Sequence, residues 1–250
     1  MTEQAILEGI ISIEAALRAG SRPIHRILIR RDEQHKRDRD MGRLARMAER
    51  AAIPVAWVST DDIDQQAQGK SHGGVIALVG DRRFVPLGDL IAGNDRPLVV
   101  MLDGVEDPFN FGQAVRAFYA AGANGLVVRP RNWMSAAGVV ARSSAGASEW
   151  MPTAVAETTQ DAANFFRAHG LKVAVADKER AVSIYAAELT GALFVVIGGE
   201  KRGITRSFAD AADLRLSIPY GRHFDESLGT TAASAVIAFE IMRQRGRSPL

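Results

Sequence analysis

Asp213-Leu-Arg-Leu-Ser-Ile-Pro-Tyr-Gly-Arg-His-Phe-Asp-Glu-Ser-Leu-Gly-Thr-Thr-Ala-Ala-Ser-Ala-Val-Ile-Ala-Phe-Glu240 is the stretch that decides the fold. Leu214, Leu216 and Ile218 alternate with polar neighbours and predict a short strand, which Pro219 ends because it has no N–H for a ladder. A loop containing Gly221 follows, and Ser227 stands just ahead of an alanine-rich helix spanning roughly 232–243. That helix is apolar nearly all round, so it must be buried in its own domain or against a second subunit.

Moving back from it, apolar strand-like runs at 98–102, 126–128, 173–176, 194–197 and 214–218 alternate with helical patterns at 112–121, 135–145, 159–169 and 232–243. A run such as Leu193-Phe-Val-Val-Ile197, apolar on both faces, is what a parallel strand covered by helices requires. The expectation is an α/β fold with a parallel sheet over 97–250. Pro86, Gly88, Gly93 and Asn94 mark 84–96 as a linker. Ahead of it, residues 1–83 predict a smaller α/β unit. Helices are expected at 6–19, ended by Gly20, and at 40–52, with strands at 24–29, 55–58 and 75–79 and Thr60 as an N-cap.

Composition narrows the class. A chain of 250 residues with 47% apolar and 24% charged residues can bury a sizeable core. It has no cysteine, which excludes disulfides, thiolate metal sites and cysteine nucleophiles. Glu3, Glu8 and Glu14 interrupt the N-terminus, so it does not read as a secretory signal, and no apolar run approaches a membrane span. A cytoplasmic protein is expected. Net charge is only +2, yet residues 18–50 hold eleven Lys/Arg against five Asp/Glu. Such an excess suits either a polyanion-binding face or a solvated helix surface. There is no G-x-G-x-x-G after the first strand, no Walker A lysine and no G-x-S-x-G elbow, which weakens dehydrogenase, NTPase and hydrolase readings. No two histidines have helical metal-ligand spacing, so no metal site is expected.

In an open parallel sheet, ligands sit beyond the carboxyl ends of the strands. Three strand ends carry distinctive residues. The first is Asp103-Gly-Val-Glu-Asp-Pro-Phe-Asn110-Phe-Gly-Gln-Ala-Val-Arg116. Here Asn110 is a good N-cap for the next helix, and Arg116 lies within about two turns of that anion-favouring start. A plain cap with a solvated arginine has the same pattern. The second, Val195-Val-Ile-Gly198-Gly199-Glu200-Lys-Arg-Gly203, runs into glycines that let backbone approach a ligand, or simply joins strand to loop. The third is the opening stretch itself.

In this order Asn110-x-Gly-x-x-x-Arg116, Gly198-x-Glu200-x-x-Gly203 and Ile218-Pro219 with Ser227-Leu228 resemble the three motifs of the SpoU/TrmH branch of SPOUT RNA 2′-O-methyltransferases. Residues 1–83, ending near His72-Gly73-Gly74, resemble more loosely the family's L7Ae/L30e-like substrate-binding extension. The resemblance implies a C-terminal trefoil knot, a homodimer, and S-adenosylmethionine held by Gly198, Gly199, Ile218 and Leu228. It also implies catalytic roles for Asn110, Arg116, Glu200 and Ser227, and an RNA substrate, ribosomal rather than transfer RNA. Arginine stays protonated, so Arg116 suits stabilisation of a developing alkoxide or grip on a phosphate better than proton removal. Glu200 is either a proton relay or an orienting group, Asn110 fixes the ribose or the arginine, and Ser227 bonds substrate or backbone. The family's third motif has asparagine where this chain has Gly229. That departure keeps open a catalytically impaired RNA-binding or ribosome-assembly factor on the same scaffold, with Thr230 or Thr231 as partial substitutes for the missing amide.

Overall fold

A computed structural model describes residues 5–31, 38–70, 72–130, 136–178, 180–199 and 203–246. The chain forms two compact units, Met1–Arg83 with Asn132–Trp150, and Phe84–Arg131 with Met151–Leu250.

The first unit contains β1 (Ala5–Glu8), α1 (Ile10–Ala19), β2 (Ile24–Arg30), α2 (Asp38–Arg50), β3 (Val55–Val58), α3 (Thr60–Gln66) and β4 (Val75–Val79). Its sheet runs β1-β4-β2-β3, with β4 antiparallel to both neighbours and β2 parallel to β3. The helical periodicity expected from Ile6 begins only at Ile10. Gly9 sits at φ 83°, outside the helical region, and residues 5–8 pair with β4 instead, a tertiary contact overriding local propensity. Ser59, not Thr60, caps α3, accepting from the Asp62 N–H while the Asp62 carboxylate accepts from the Ser59 N–H.

The second unit opens with β5 (Leu98–Asp103), α4 (Pro108–Ala120) and β6 (Gly125–Val128). Then α5 (Ala137–Ser143) and α6 (Ala147–Trp150) belong to the first unit. The second unit resumes with β7 (Thr153–Val155), α7 (Thr159–Ala168), β8 (Lys172–Ala176), β9 (Val182–Ser183), β10 (Leu193–Gly198), α8 (Arg206–Asp210), β11 (Leu214–Ser217) and α9 (Thr230–Gln244). Its sheet has seven strands in the order β7-β6-β5-β10-β8-β11-β9, every pair parallel. Val99, Met101, Phe194 and Val196 share a core with Phe166, Leu171 and Leu90. Strand alternation turns Val100, Leu102, Val195 and Ile197 to the other face. On the helical layer, α4 packs on α9 and α9 on β10. Phe118, Phe166 and Phe194 are fully buried, and truncating any one to alanine costs about 3–5 kcal/mol.

The segment 84–96 is not a bare linker. It contains a 3-10 turn, Leu87–Leu90, whose Leu90 is buried in the sheet core, and Val85 donates to the Thr153 carbonyl at 2.9 Å. The helix expected at 135–145 is α5, which ends at Ser143 because Ala145 and Gly146 take φ of 50° and 80°, and a further turn, α6, follows at 147–150. Both dock on the first unit. A Cβ on Gly138 would lie 2.5 Å from the Ile6 carbonyl oxygen, so α5 lies directly against β1.

Two buried glutamates fasten this segment. Glu8 accepts from the Gln68 and Gly69 N–H groups and pairs with Arg142. Glu149 receives both nitrogens of a bidentate Arg22, each at 3.0 Å, with Ser21 as a further donor and Arg82 at 3.6 Å. Burial pushes the Glu149 pKa up, but Arg22 and Arg82 outweigh it, so the carboxyl is held below its ordinary value.

Candidate active site

The carboxyl ends of β10, β8 and β11 lie side by side, and the chain beyond each forms a wall of a 760 Å³ cleft. From β10 come Ile197, Gly198 and Gly199; from β8, Asp177 and Lys178; from β11, Ile218 and the loop to Leu228. Thr230, Ala233 and Ile237 at the start of α9 close the fourth side.

The two glycines are there because backbone packs on backbone. The Gly199 N–H donates to the Asp103 carbonyl at 2.7 Å, which ties the ends of β5 and β10 together. A Cβ on Gly199 would lie 2.0 Å from the Gly104 carbonyl oxygen, and one on Gly198 would lie 2.8 Å from Gly203 and Ile204 backbone. No side chain larger than hydrogen fits either position without moving the chain. Gly203 then turns back, its N–H donating to the Gly199 carbonyl at 2.9 Å.

The loop 218–229 folds over the cleft through its own polar groups. The Tyr220 hydroxyl accepts from the Leu228 N–H at 2.9 Å, and Lys178 Nζ donates to the Asp225 carbonyl at 2.7 Å. The ring of Tyr220 lies 6.0 Å from that of Phe224 and 6.0 Å from Lys178 Nζ. Pro219 sits between the strand and this reversal, where a further ladder N–H would serve nothing.

Four of the expected cofactor residues, Gly198, Gly199, Ile218 and Leu228, line this cleft, and so does Ser227. Asn110 is placed differently from the sequence expectation. The cap of α4 is Asp107, whose carboxylate accepts from the Asn110 N–H at 2.7 Å, so Asn110 is the third residue of the helix. Its backbone carbonyl meets the Thr231 hydroxyl at 3.5 Å, while the neighbouring Thr230 hydroxyl meets the Gly198 carbonyl at 3.5 Å. The first turn of α9 therefore touches both of the other motifs through two hydroxyls, at the place where Gly229 itself provides no side-chain cap. Arg116 is exposed on α4, does not line the cleft, and makes no hydrogen bond or ion pair with a described residue. Glu200 lies outside the described residues.

Sequence reasoning missed Asp177, Lys178, Tyr220 and Phe224. The end of β8 could have been found by the same strand-end rule, and an aromatic pair in a glycine-containing loop was the signal for the other wall.

The walls Ile197, Leu216, Ile218, Leu228 and Ile237 are apolar, and Lys178 is the single cationic side chain among the lining residues. Lys178 is engaged by the Asp225 carbonyl, and among the described residues no arginine lines the cleft. This lining suits a nucleoside: apolar faces for a base, and carboxylates at Asp177 and Asp225 compatible with positive charge.

Comparison with known proteins agrees with this picture. The model described as SpoU rRNA Methylase family matches residues 97–239, and that described as RNA 2′-O ribose methyltransferase substrate binding matches residues 6–85. The 23S rRNA (guanosine-2′-O-)-methyltransferase RlmB of Haemophilus ducreyi is 30% identical over 253 residues, covering 98% of this chain and 99% of the relative. Its Shewanella oneidensis counterpart is 28% identical over 248 residues, with 98% and 99% covered. Among solved structures, an AdoMet-bound rRNA methyltransferase from Sinorhizobium meliloti superposes with a TM-score of 0.79 at 23% identity, covering 96% of this chain and 87% of that one. The SpoU methyltransferase AviRb from Streptomyces viridochromogenes, in complex with AdoMet, gives 0.77 at 23% identity, with 97% and 90% covered. These structural likenesses establish a shared fold. The methylase match extends over more than half of the sequence, and the chain belongs to the SpoU rRNA methylase family.

Proposed function

We propose that this chain is an S-adenosylmethionine-dependent RNA methyltransferase acting on a ribose 2′-hydroxyl of ribosomal RNA, as a homodimer in the cytoplasm. The observation that carries the reading is the apolar-walled, two-glycine cleft at the ends of β10, β8 and β11 in a chain of this family.

Gly198, Gly199, Ile218 and Leu228 would hold the cofactor, which supplies an electrophilic methyl group on a cationic sulfur. Ile218 and Leu228 would exclude water from the base, and the absence of side chains at Gly198 and Gly199 would leave room beside it. Arg116 stabilises the developing 2′-alkoxide and grips an adjacent phosphate, charge stabilisation of the kind worth 10²–10³ in rate, roughly, per donor. Asn110 and Ser227 orient the ribose, and Glu200 orients Arg116 or relays the proton. Thr230 and Thr231 take over the ordering of the α9 start that the family's asparagine provides.

The homodimer is supported by two exposed aromatics on packed helices, Phe109 on α4 at 54% and Phe239 on α9 at 45%. Phe109 and Arg116 are seven residues apart and share one side of α4. A second copy covering those rings would thus leave Arg116 beside a subunit boundary.

The test is methyl transfer itself. Purified protein, labelled cofactor and protein-free ribosomal RNA should give label at one nucleotide, with the 3′ phosphodiester there resistant to alkali because the 2′-oxygen is blocked. Calorimetry with the demethylated cofactor should show one site per subunit. Folded protein that binds neither cofactor nor RNA would sink the reading.

A further inference from the structure

Helix α2 carries arginines at positions 39, 43, 46 and 50, spaced four, three and four residues apart. At 3.6 residues per turn these positions fall within about 60° of arc and form a line of about 16 Å along the helix. The buried residues Met41, Leu44, Ala45 and Ala48 occupy the opposite side and fill the core of the first unit. The helix is thus split into one face made for the core and one made of guanidinium.

Most of that charge meets no acid among the described residues. Arg43 is held by Glu14 at 2.9 Å and Asp40 at 3.4 Å. Arg39, Arg46 and Arg50 are exposed and make no hydrogen bond or ion pair with a described residue. Asp40 and Glu49, the acids on this helix nearest the stripe, fall to either side of it in the helical projection. Arg18, in the last turn of α1, reaches the sulfur of Met47 at 4.0 Å and adds another guanidinium at the edge. Like charges at i,i+3 and i,i+4 destabilise a helix, and solubility alone needs only mixed signs. A single-sign line therefore calls for an anion with repeating charge. All four members are arginine, whose planar fork matches phosphate oxygens in pairs, whereas lysine offers a point charge.

We infer that the α2 stripe is the surface by which the first unit grips the phosphodiester backbone of the RNA substrate. This rests on the proposed function and adds the binding face and its mode: it runs along a row of phosphates and reads no bases. Because the contacts are phosphate contacts, each one releases counterions and adds roughly 0.7–0.9 to the steepness of log affinity against log salt.

The experiment compares wild type with an Arg39→Gln/Arg46→Gln/Arg50→Gln variant and the corresponding triple lysine variant. All three positions are exposed, so melts should coincide. In about 150 mM salt, the glutamine variant should show a KM for ribosomal RNA raised at least tenfold, kcat at saturating RNA within twofold, and unchanged cofactor affinity. Its salt slope should fall by about two to three, and the lysine variant should recover most of that slope. A wild type that methylates RNA alongside a glutamine variant with unchanged KM and slope overturns the stripe assignment alone. A wild type that neither binds nor methylates RNA overturns the functional reading and the assignment with it.

Discussion

The two units are fastened by different means. In the second, the strands are apolar on both faces, and the cleft exists because backbone closes on backbone at Gly198 and Gly199. In the first, carboxylates are taken into the interior, with Glu8 1% and Glu149 3% exposed, and held by arginines. A buried ion pair adds little over a well-packed apolar pair, yet breaking one partner is severe. A backbone seam fails differently: it tolerates charge changes and no added carbon. Perturbing the first unit should cost stability, and perturbing the strand ends of the second should cost ligand binding or turnover.

The largest expected effect comes from cutting the chain at residue 83. The remaining residues would keep α5 and α6 without the sheet they pack on, so their amides should exchange within minutes while those of β5 and β10 stay protected. Protected α5 amides in the truncated chain would break the two-unit description. Next is Glu149→Gln, which leaves Arg22 and Arg82 buried with no countercharge and should cost about 3–5 kcal/mol. That corresponds to a fall in Tm of about 10 °C, with cofactor affinity unchanged. The folded pKa of Glu149 is depressed, so its contribution is present above the unfolded value of about 4.5 and is lost as pH falls through the folded value. Melts from pH 7 down to 3 should therefore converge for wild type and variant. Parallel curves would show that the pair does not govern acid stability.

Turnover comes third. Arg116→Ala should lower kcat by about 10²–10³ with melts and cofactor Kd within twofold; activity within a few-fold of wild type removes Arg116 from the chemistry. Gly199→Ala sharpens the comparison from the other side. Its added carbon must displace the Gly104 carbonyl, at about 1–3 kcal/mol, and cofactor Kd should rise at least tenfold. Unchanged Kd would mean that the seam does not shape the cleft. The smallest effect belongs to Gly229→Asn, which restores a good cap and should stabilise by only a few tenths of a kcal/mol, roughly. Its use lies in turnover, since a clear rise would identify the glycine as a limit on catalysis.

Much of the second unit was legible because a parallel strand between helix layers must be apolar on both faces, and such runs stand out. β9 was not, since Val182–Ser183 is only two residues at a sheet edge with Val182 half-exposed. β1 was misread because Ile6, Leu7 and Ile10 fit a helical period as well as a strand, and the pairing with β4 that decides the matter lies about seventy residues away. The β10 wall of the cleft was legible through its glycines. Asn110 was read as a cap because asparagine is a good one, yet Asp107 precedes a proline suited to the first helical position and wins. Membership of 137–150 in the first unit was not legible at all. The matching carboxylates and arginines are ordinary charged residues until folding buries them together.

That last arrangement sets the order of events during synthesis. Arg22 emerges from the ribosome 127 residues ahead of Glu149, its bidentate partner. At about 5–20 residues per second, the amino-terminal sheet waits roughly 6–25 s with its arginine unmatched and the side of β1 that will meet α5 uncovered. The nascent first unit is thus a clasp left open until more than half of the polypeptide exists. Any pause in translation between the two positions lengthens the interval in which a chaperone, or another nascent chain, can occupy the place of α5.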